Sequence, residues 1–264
     1  MMDERSADLL ETLNILQTSF LGSSSSGKEI IDCGPFRVFV SGESDVHWMN
    51  FAVPTSKAET AAEVEALVQV FHSKQRRPRV ESLQTLWPRT SLLLEAFGFE
   101  LQARMPIMIC TREGFKPAPR AVTVELLSSS DDPVPSMITG NTAFSDDAPV
   151  TEARIENWRK RMDSGNFYWA QAIAGSTIAG VGCLMACDGA AELAGIGTLL
   201  EFRRRGIALS VSTALIEKIW SKPAQESIVW LSAADETAAS MYRKLGFTSI
   251  GIQENWQWPL PHSN

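Results

Sequence analysis

Thr198-Leu199-Leu200-Glu201-Phe202-Arg203-Arg204-Arg205-Gly206-Ile207-Ala208, continuing Leu209-Ser210-Val211-Ser212-Thr213-Ala214-Leu215-Ile216-Glu217-Lys218-Ile219, decides how the rest of the chain is read. The residues before it form an apolar, glycine-containing strand pattern. The second part repeats apolar residues three and four apart, as a helix with one buried face does. A short basic turn with Gly206 joins the two. Strand, glycine turn and helix start together make a concavity of free backbone N–H groups at the positive end of a helix, a site for phosphate or another anion. Many glycine turns before helices bind nothing, and three consecutive arginines also suit a solvated cluster. The stretch alone leaves both readings open.

Composition narrows the choice of class. A chain of 264 residues makes one large domain or two smaller ones, and its apolar fraction of 44% is that of a globular protein with a real core. A formal charge of -7 argues against general nucleic-acid binding through a basic surface, while leaving room for one local basic pocket. Cys33, Cys110, Cys183 and Cys187 lack the paired spacing of a zinc site, and there are only three histidines, so buried free thiols and no metal are expected. No basic leader precedes an apolar run, and no stretch approaches the roughly 18 apolar residues of a membrane span. The expectation is a cytoplasmic protein with no membrane and no nucleic acid among its partners. A homodimer is compatible with the sequence but not specified by it.

Along the chain, Asp8–Leu16 suits an amphipathic helix, and Ser23–Gly27 a polar turn that ends it. Glu29–Cys33, Phe36–Val40 and Val46–Val53 read as strands. Thr60–His72 is a helix with Ala61, Val64, Leu67, Val68 and Phe71 on one face. Arg79–Leu83 is a strand, Trp87–Ala96 a helix, and Phe99–Ile109 extended with an interruption at Pro106. Thr111–Pro119 carries charge, glycine and proline without an apolar face, and reads as a linker. The second half follows from about Arg120. It gives a strand (Ala121–Leu127), helices over Met137–Phe144 and Thr151–Met162, and three strands, Phe167–Ile173, Thr177–Cys187 and Ala191–Leu200, joined by tight turns. The organising helix is next. A strand (Ser227–Ser232), a helix (Glu236–Leu245) and a last strand (Phe247–Trp258) close the chain.

Two helix ends echo each other: Leu94-Glu95-Ala96-Phe97-Gly98-Phe99 and Tyr242-Arg243-Lys244-Leu245-Gly246-Phe247. Each runs through a glycine, which takes left-handed geometry cheaply at a helix C-terminus, into a strand that starts with phenylalanine. Such caps are common. Their placement near the end of each half points to two related α/β units, 1–115 and 120–264. The first has no counterpart of Arg203, Gly206 and Ala208.

Those three residues carry a family resemblance. Arg203-x-x-Gly206-x-Ala208 resembles the acyl-CoA-binding pattern Gln/Arg-x-x-Gly-x-Gly/Ala of the GCN5-related N-acetyltransferases (GNAT). Asp235-x-x-Ala238-x-x-x-Tyr242-x-Lys244-x-Gly246-Phe247 resembles that family's second signature, with Asp235 in place of asparagine. Leu200 stands where a proline is common. The element order of residues 120–258 also resembles the family's. The resemblance implies an α/β GNAT acyl-CoA N-acyltransferase fold with a mixed, splayed central sheet, preceded by a degenerate GNAT-like half. It implies that acetyl-CoA, or another short acyl-CoA, lies between the parted strands Ala191–Leu200 and Ile228–Ser232. The pyrophosphate would meet backbone groups from about Arg204 to Leu209, which brings in Arg204, Arg205, Gly206, Ile207, Ala208 and Leu209. Arg203 would touch phosphate or brace the turn. The pantetheine arm would pair around Gly195–Leu199, using Gly197, Thr198 and Leu199. Asp235 and Ala238 complete the implied cofactor set.

Acyl transfer from a thioester needs a proton acceptor for the amine, a donor for the leaving thiolate and a donor to the oxyanion. The resemblance implies Tyr242 as general acid toward the CoA sulfur. Packing on a helix face is its alternative. Glu192, at the start of the strand leading to the acyl site, is the candidate base, against a solvated strand end. Asp146, Asp147 and Asp163 lie in loops that could border the acceptor. Trp169, Trp220, Trp230, Trp256 and Trp258 could line a groove, core packing being the default for Trp230. An acyl-cysteine at Cys183 or Cys187 has no histidine nearby in sequence to support it. The expected activity is N-acetylation of an unidentified amine by direct attack in a ternary complex. The alternatives are a non-catalytic acyl-CoA-binding or protein-interaction module and, less in keeping with the charge, a nucleic-acid-binding regulator.

Overall fold

The computed structural model describes residues 4–42, 45–221 and 228–259. Two compact units are present. One comprises residues up to Gln17, Ser24–Ile107 and the chain from Ile250 on; the other comprises Thr18–Ser23 and Met108–Ser249. Ser227, expected at a strand start, lies outside the described residues. Among the described residues no helix is long and apolar enough to cross a membrane.

The first unit follows the order α1 (Glu4–Ser24), β1 (Lys28–Cys33), β2 (Phe36–Ser41), β3 (Phe51–Pro54), α2 (Ala61–Ser73), β4 (Arg79–Leu83), α3 (Pro88–Phe97) and β5 (Glu100–Thr111). β1, β2 and β3 pair antiparallel and β3 runs parallel to β4, with α2 as the crossover that a parallel pair requires. Val64, Leu67, Val68 and Phe71 of α2 bury against Phe36, Val38, Val40, Ala52 and Val80. The expected strand Val46–Val53 is instead a 3-10 turn, His47–Met49, followed by β3. Asn50 causes the break: its amide donates to the Val46 carbonyl at 2.8 Å and its oxygen accepts from the Ser41 N–H. Pro106 does not interrupt β5, because its fixed φ suits extended chain.

The second unit contains β6 (Thr123–Leu126), α4 (Val134–Ala143), α5 (Glu152–Asp163), β7 (Phe167–Ala174), β8 (Thr177–Cys187), β9 (Ala190–Thr198), α6 (Ile207–Trp220), β10 (Ile228–Ser232) and α7 (Glu236–Arg243). The strand order is β10-β9-β8-β7-β6, antiparallel except for the parallel β9–β10 pair that α6 connects. α6 lies directly on β8, which presents glycines there. A Cβ at Gly180 would come within 2.8 Å of the Gly197 carbonyl oxygen and 2.7 Å of Ile207 Cγ2, and one at Gly182 would strike Ile196 and Val211. Gly180→Ala is therefore expected to destabilise the fold by about 2 kcal/mol, since backbone must shift to admit the methyl group. A parental unfolding midpoint in urea would contradict this packing.

The chain expected as a linker is strapped onto the second unit. The Lys116 N–H donates to the Leu245 carbonyl, the Ala118 N–H to Thr213 Oγ1 and the Ala121 N–H to Ser210 Oγ, while Phe115 meets Trp220 edge-on at 5.3 Å.

The echo in sequence is an echo in geometry. Gly98 and Gly246 both adopt left-handed backbone, φ 102° and 94°. The N–H groups of Phe99 and Phe247 both reach back five residues, to Leu94 and Tyr242. The run β3-α2-β4-α3 has the connectivity of β9-α6-β10-α7, each around one parallel pair. The last strands are exchanged, however. β11 (Thr248–Gln257), which ends the second run, pairs antiparallel with β4, and β5, which ends the first, neighbours β10. Met108 and Cys110 of β5 accordingly bury with Val229 and Leu245. The compact units thus cross the sequence halves 1–115 and 120–264 at both ends.

Candidate active site

β9 is where the second sheet departs from regularity. Gly197 and Ala194 stand opposite Val181 and Cys183, so two residues of β9 face Gly182 alone, and Gly195 there takes φ 60°. Such a bulge bends its strand and ends neighbouring pairing. On its other side β9 is in register with β10 for three residues, Ala190–Glu192 against Ile228–Trp230, while β9 itself continues to Thr198. The two strands therefore part after Glu192, as expected for a wedge between them.

The wedge leads to the start of α6. Leu199 donates its N–H to the Ala179 carbonyl, a 3-10 turn spans Leu200–Phe202, and Arg204 and Gly206 both take left-handed backbone, φ 63° and 78°. The helix starts at Gly206 without a side-chain cap. The Ser210 N–H is the first to find an acceptor, the Gly206 carbonyl, and among the described residues the N–H groups of Arg204, Arg205, Gly206, Ile207, Ala208 and Leu209 have none. The corresponding helix start in the first unit, that of α2, is closed by its own side chains. Thr60 Oγ1 accepts from the Glu63 N–H, and the Glu63 carboxylate accepts from the N–H groups of Glu59 and Thr60. Those hydrogen bonds hold the Glu63 carboxyl below its usual range. One helix supplies its own anion; the other leaves its donors open.

The arginines of the turn divide by role. Arg203 braces it, donating from Nε to the Thr198 carbonyl at 3.2 Å and from a terminal nitrogen to the Ala143 carbonyl at 3.2 Å. Arg205 lies over the Phe202 ring at 5.5 Å, and Arg204 is exposed. The Thr198 side-chain oxygen is buried near Gly180 and has no hydrogen-bond partner among the described residues. Asp235 caps α7, accepting from the Ala238 N–H at 2.8 Å, which occupies both groups in the helix itself.

Tyr242 lies on α7 with its ring buried beside Phe247, centroids 5.7 Å apart. Burial raises its phenol above the ordinary tyrosine range, so it stays protonated through neutral pH and can donate. Glu192 lies on the opposite face of the sheet from the α6 core, in one row with Phe167, Met185 and Trp230 on the adjacent strands. Ser23 of α1 donates to its carboxylate at 2.9 Å.

Of the five tryptophans considered for a groove, Trp230 is fully buried and Trp220 packs on Phe115. Trp256 and Trp258 belong to the core of the first unit, Trp258 against Phe97 and Phe99. Trp169 alone combines partial exposure with the face that carries Glu192, where it donates to Ser136 Oγ at 2.6 Å. Asp146 is engaged by the Ala148 N–H, and Asp147 and Asp163 are exposed. Burial pushes the Cys183 thiol up to about 12 and that of Cys187 to about 11, which suits neither to nucleophilic work at neutral pH. Among the described residues no group of three or more His, Cys, Asp or Glu could hold a metal.

Two residues beside Glu192 went unread in the sequence. Ser23 sits in a polar run that reads as a turn, and nothing local marks it. Arg161 lies among Arg154, Arg159 and Lys160 and reads as part of a solvated face, yet it is half-buried and stacks on Phe167, Cζ to ring centroid 3.9 Å. Its position one turn from Trp158 was the available signal.

A bulged strand parts from its parallel neighbour and runs into an uncapped glycine turn and helix, the arrangement that the sequence resemblance implies. Residues 173–257 match the family described as FR47-like protein. Among solved structures, a GCN5-related N-acetyltransferase from Kribbella flavida is 19% identical, with a TM-score of 0.74 over 94% of this chain and 96% of that one. An acetyltransferase of the GNAT family from Novosphingobium aromaticivorans is 16% identical, with a TM-score of 0.55 over 94% and 99%. A tandem GNAT protein from the clavulanic acid biosynthesis pathway is 10% identical, with a TM-score of 0.54 over 87% and 79%. The chain shares the fold of these GNAT structures, and its sequence match is the FR47-like segment, about a third of its length. No curated protein sequence matches it.

Proposed function

We propose that the chain is an acetyl-CoA-dependent N-acyltransferase that transfers a short acyl group to an amine by direct attack in a ternary complex. The observation that carries this reading is the open helix start: six consecutive N–H groups without acceptors among the described residues, at the mouth of the wedge between β9 and β10. That cradle fits a diphosphate, which the self-capped start of α2 does not. The fold and the FR47-like segment support acyl transfer as the class of reaction. The run through β5 is then a related GNAT-like half that has lost its anion turn. Free cysteines agree with a cytoplasmic setting.

In this scheme Arg204–Leu209 hold the pyrophosphate through their backbone, with Arg203 fixing the turn from behind. The edge of β9 beyond Glu192, including Gly197, receives the pantetheine arm. Glu192 takes a proton from the acceptor amine as its nitrogen bonds to the thioester carbonyl carbon. The carbon–sulfur bond breaks, and the departing thiolate takes the proton of Tyr242. The products are an amide and free CoA.

Tyr242→Phe keeps the ring and removes the donor. It is expected to lower kcat by about 10- to 100-fold while changing the Kd for acetyl-CoA far less. Equal losses in both would make Tyr242 a packing residue. An acyl-CoA-binding module without catalysis would show acetyl-CoA binding but no amine-dependent release of thiol.

A further inference from the structure

Arg161 is a half-buried cation that, among the described residues, forms no direct ion pair. It projects from α5 onto the sheet face that carries Glu192, stacks on the Phe167 ring at 3.9 Å and donates from a terminal nitrogen to Met185 Sδ at 2.9 Å. Among the described residues it forms no ion pair, and the remaining donors of its fork have no acceptor. A ring face and a thioether position a guanidinium without neutralising it. They also leave its planar edge free for the bidentate contact that a carboxylate makes.

The register fixes where that edge lies. Phe167, Met185 and Glu192 form one row across β7, β8 and β9, all on one face. Arg161, seated over Phe167 and Met185, therefore stands over the row that ends in Glu192. Burial works against the charge of the guanidinium, and the Glu192 carboxylate on the same face supports it. Ser23 holds Glu192 from the other side. A fixed cation and a fixed carboxylate thus stand a short span apart beside the β9 bulge.

We infer that the acceptor is a free α-amino acid, its carboxylate held by Arg161 and its amine presented to Glu192. The inference rests on the acyltransferase reading for the fate of the amine, but not for the recognition of the carboxylate. Here Arg161 is a binding residue for the acceptor, and it discriminates against plain amines by leaving a half-buried cation unanswered.

The test compares acceptors that differ only in the carboxylate: glycine, L-leucine and L-phenylalanine against methylamine, isopentylamine and phenethylamine. Binding to the full chain is measured by isothermal titration, and transfer by thiol release from acetyl-CoA. The parent is expected to bind at least one amino acid about tenfold or more tighter than its amine. In Arg161→Gln that ratio should collapse, and with it the ratio of kcat/KM values. Equal binding of both members of every pair, binding of none of the six, or a preference that persists in Arg161→Gln overturns the assignment. The parental comparison needs no variant, so misfolding of Arg161→Gln cannot hide a failure. A chain that prefers the amino acid yet does not bind acetyl-CoA would sink the acyltransferase reading and leave the carboxylate site standing. A chain that acetylates amines without preference would do the reverse.

Discussion

Gly206→Trp binds acetyl-CoA at least about 100-fold more weakly than the parent: this is the result the helix start leads us to expect, and isothermal titration measures it directly. Two effects add. Charge-assisted hydrogen bonds contribute about 1.5–3 kcal/mol each, so displacing a diphosphate from two of the six open N–H groups costs about 3–6 kcal/mol. In addition, φ 78° at Gly206 is left-handed backbone, in which a residue with a Cβ pays about 1–2 kcal/mol. Gly206→Ala separates the parts. It carries the strain, with its Cβ placed 3.2 Å from that of Ala121, but has no bulk to fill the mouth. The order of affinities should be parent, then alanine, then tryptophan. Equal affinity of the tryptophan variant and the parent would remove the cofactor from this turn, and the proposed function with it.

Glu192→Gln should lower kcat by about 100-fold or more, the usual scale for loss of a general base, with the Kd for acetyl-CoA unchanged. Glutamine preserves the shape and can still accept from Ser23, which donates to the carboxylate at 2.9 Å in the parent. What it cannot do is take a proton from an ammonium or amine. A kcat within about threefold of the parent would assign the proton to another group or to solvent. Asp163, exposed just beyond Arg161, would be the next carboxylate to replace.

Much of this site could be read before any coordinates, because its parts are local. Gly206 marks a turn that only glycine closes cheaply, and the spacing of Ile207, Val211, Leu215 and Ile219 marks the buried face of the helix behind it. Gly98 and Gly246 gave away the shared helix ends for the same reason. What escaped reading depends on residues far apart in sequence. Nothing in Thr248–Gln257 says that it pairs with β4, 165 or more positions earlier, because alternation marks a strand without naming its partner. Arg161 looks solvated in a charged helix until β7 and β8 bring Phe167 and Met185 beneath it. The segment Thr111–Pro119 looks like a tether because its apolar groups are few. Its attachment is made by backbone N–H groups, which every sequence has.

The traded final strands make this chain a poor candidate for dissection. A scissor cut anywhere between 115 and 120 separates β4 from β11 and β10 from β5, so each fragment would carry a raw edge where the intact molecule has a ladder. Evolution is bound by the same arithmetic. The first run cannot be shed, because its closing segment is the neighbour of β10, on whose far side the wedge opens.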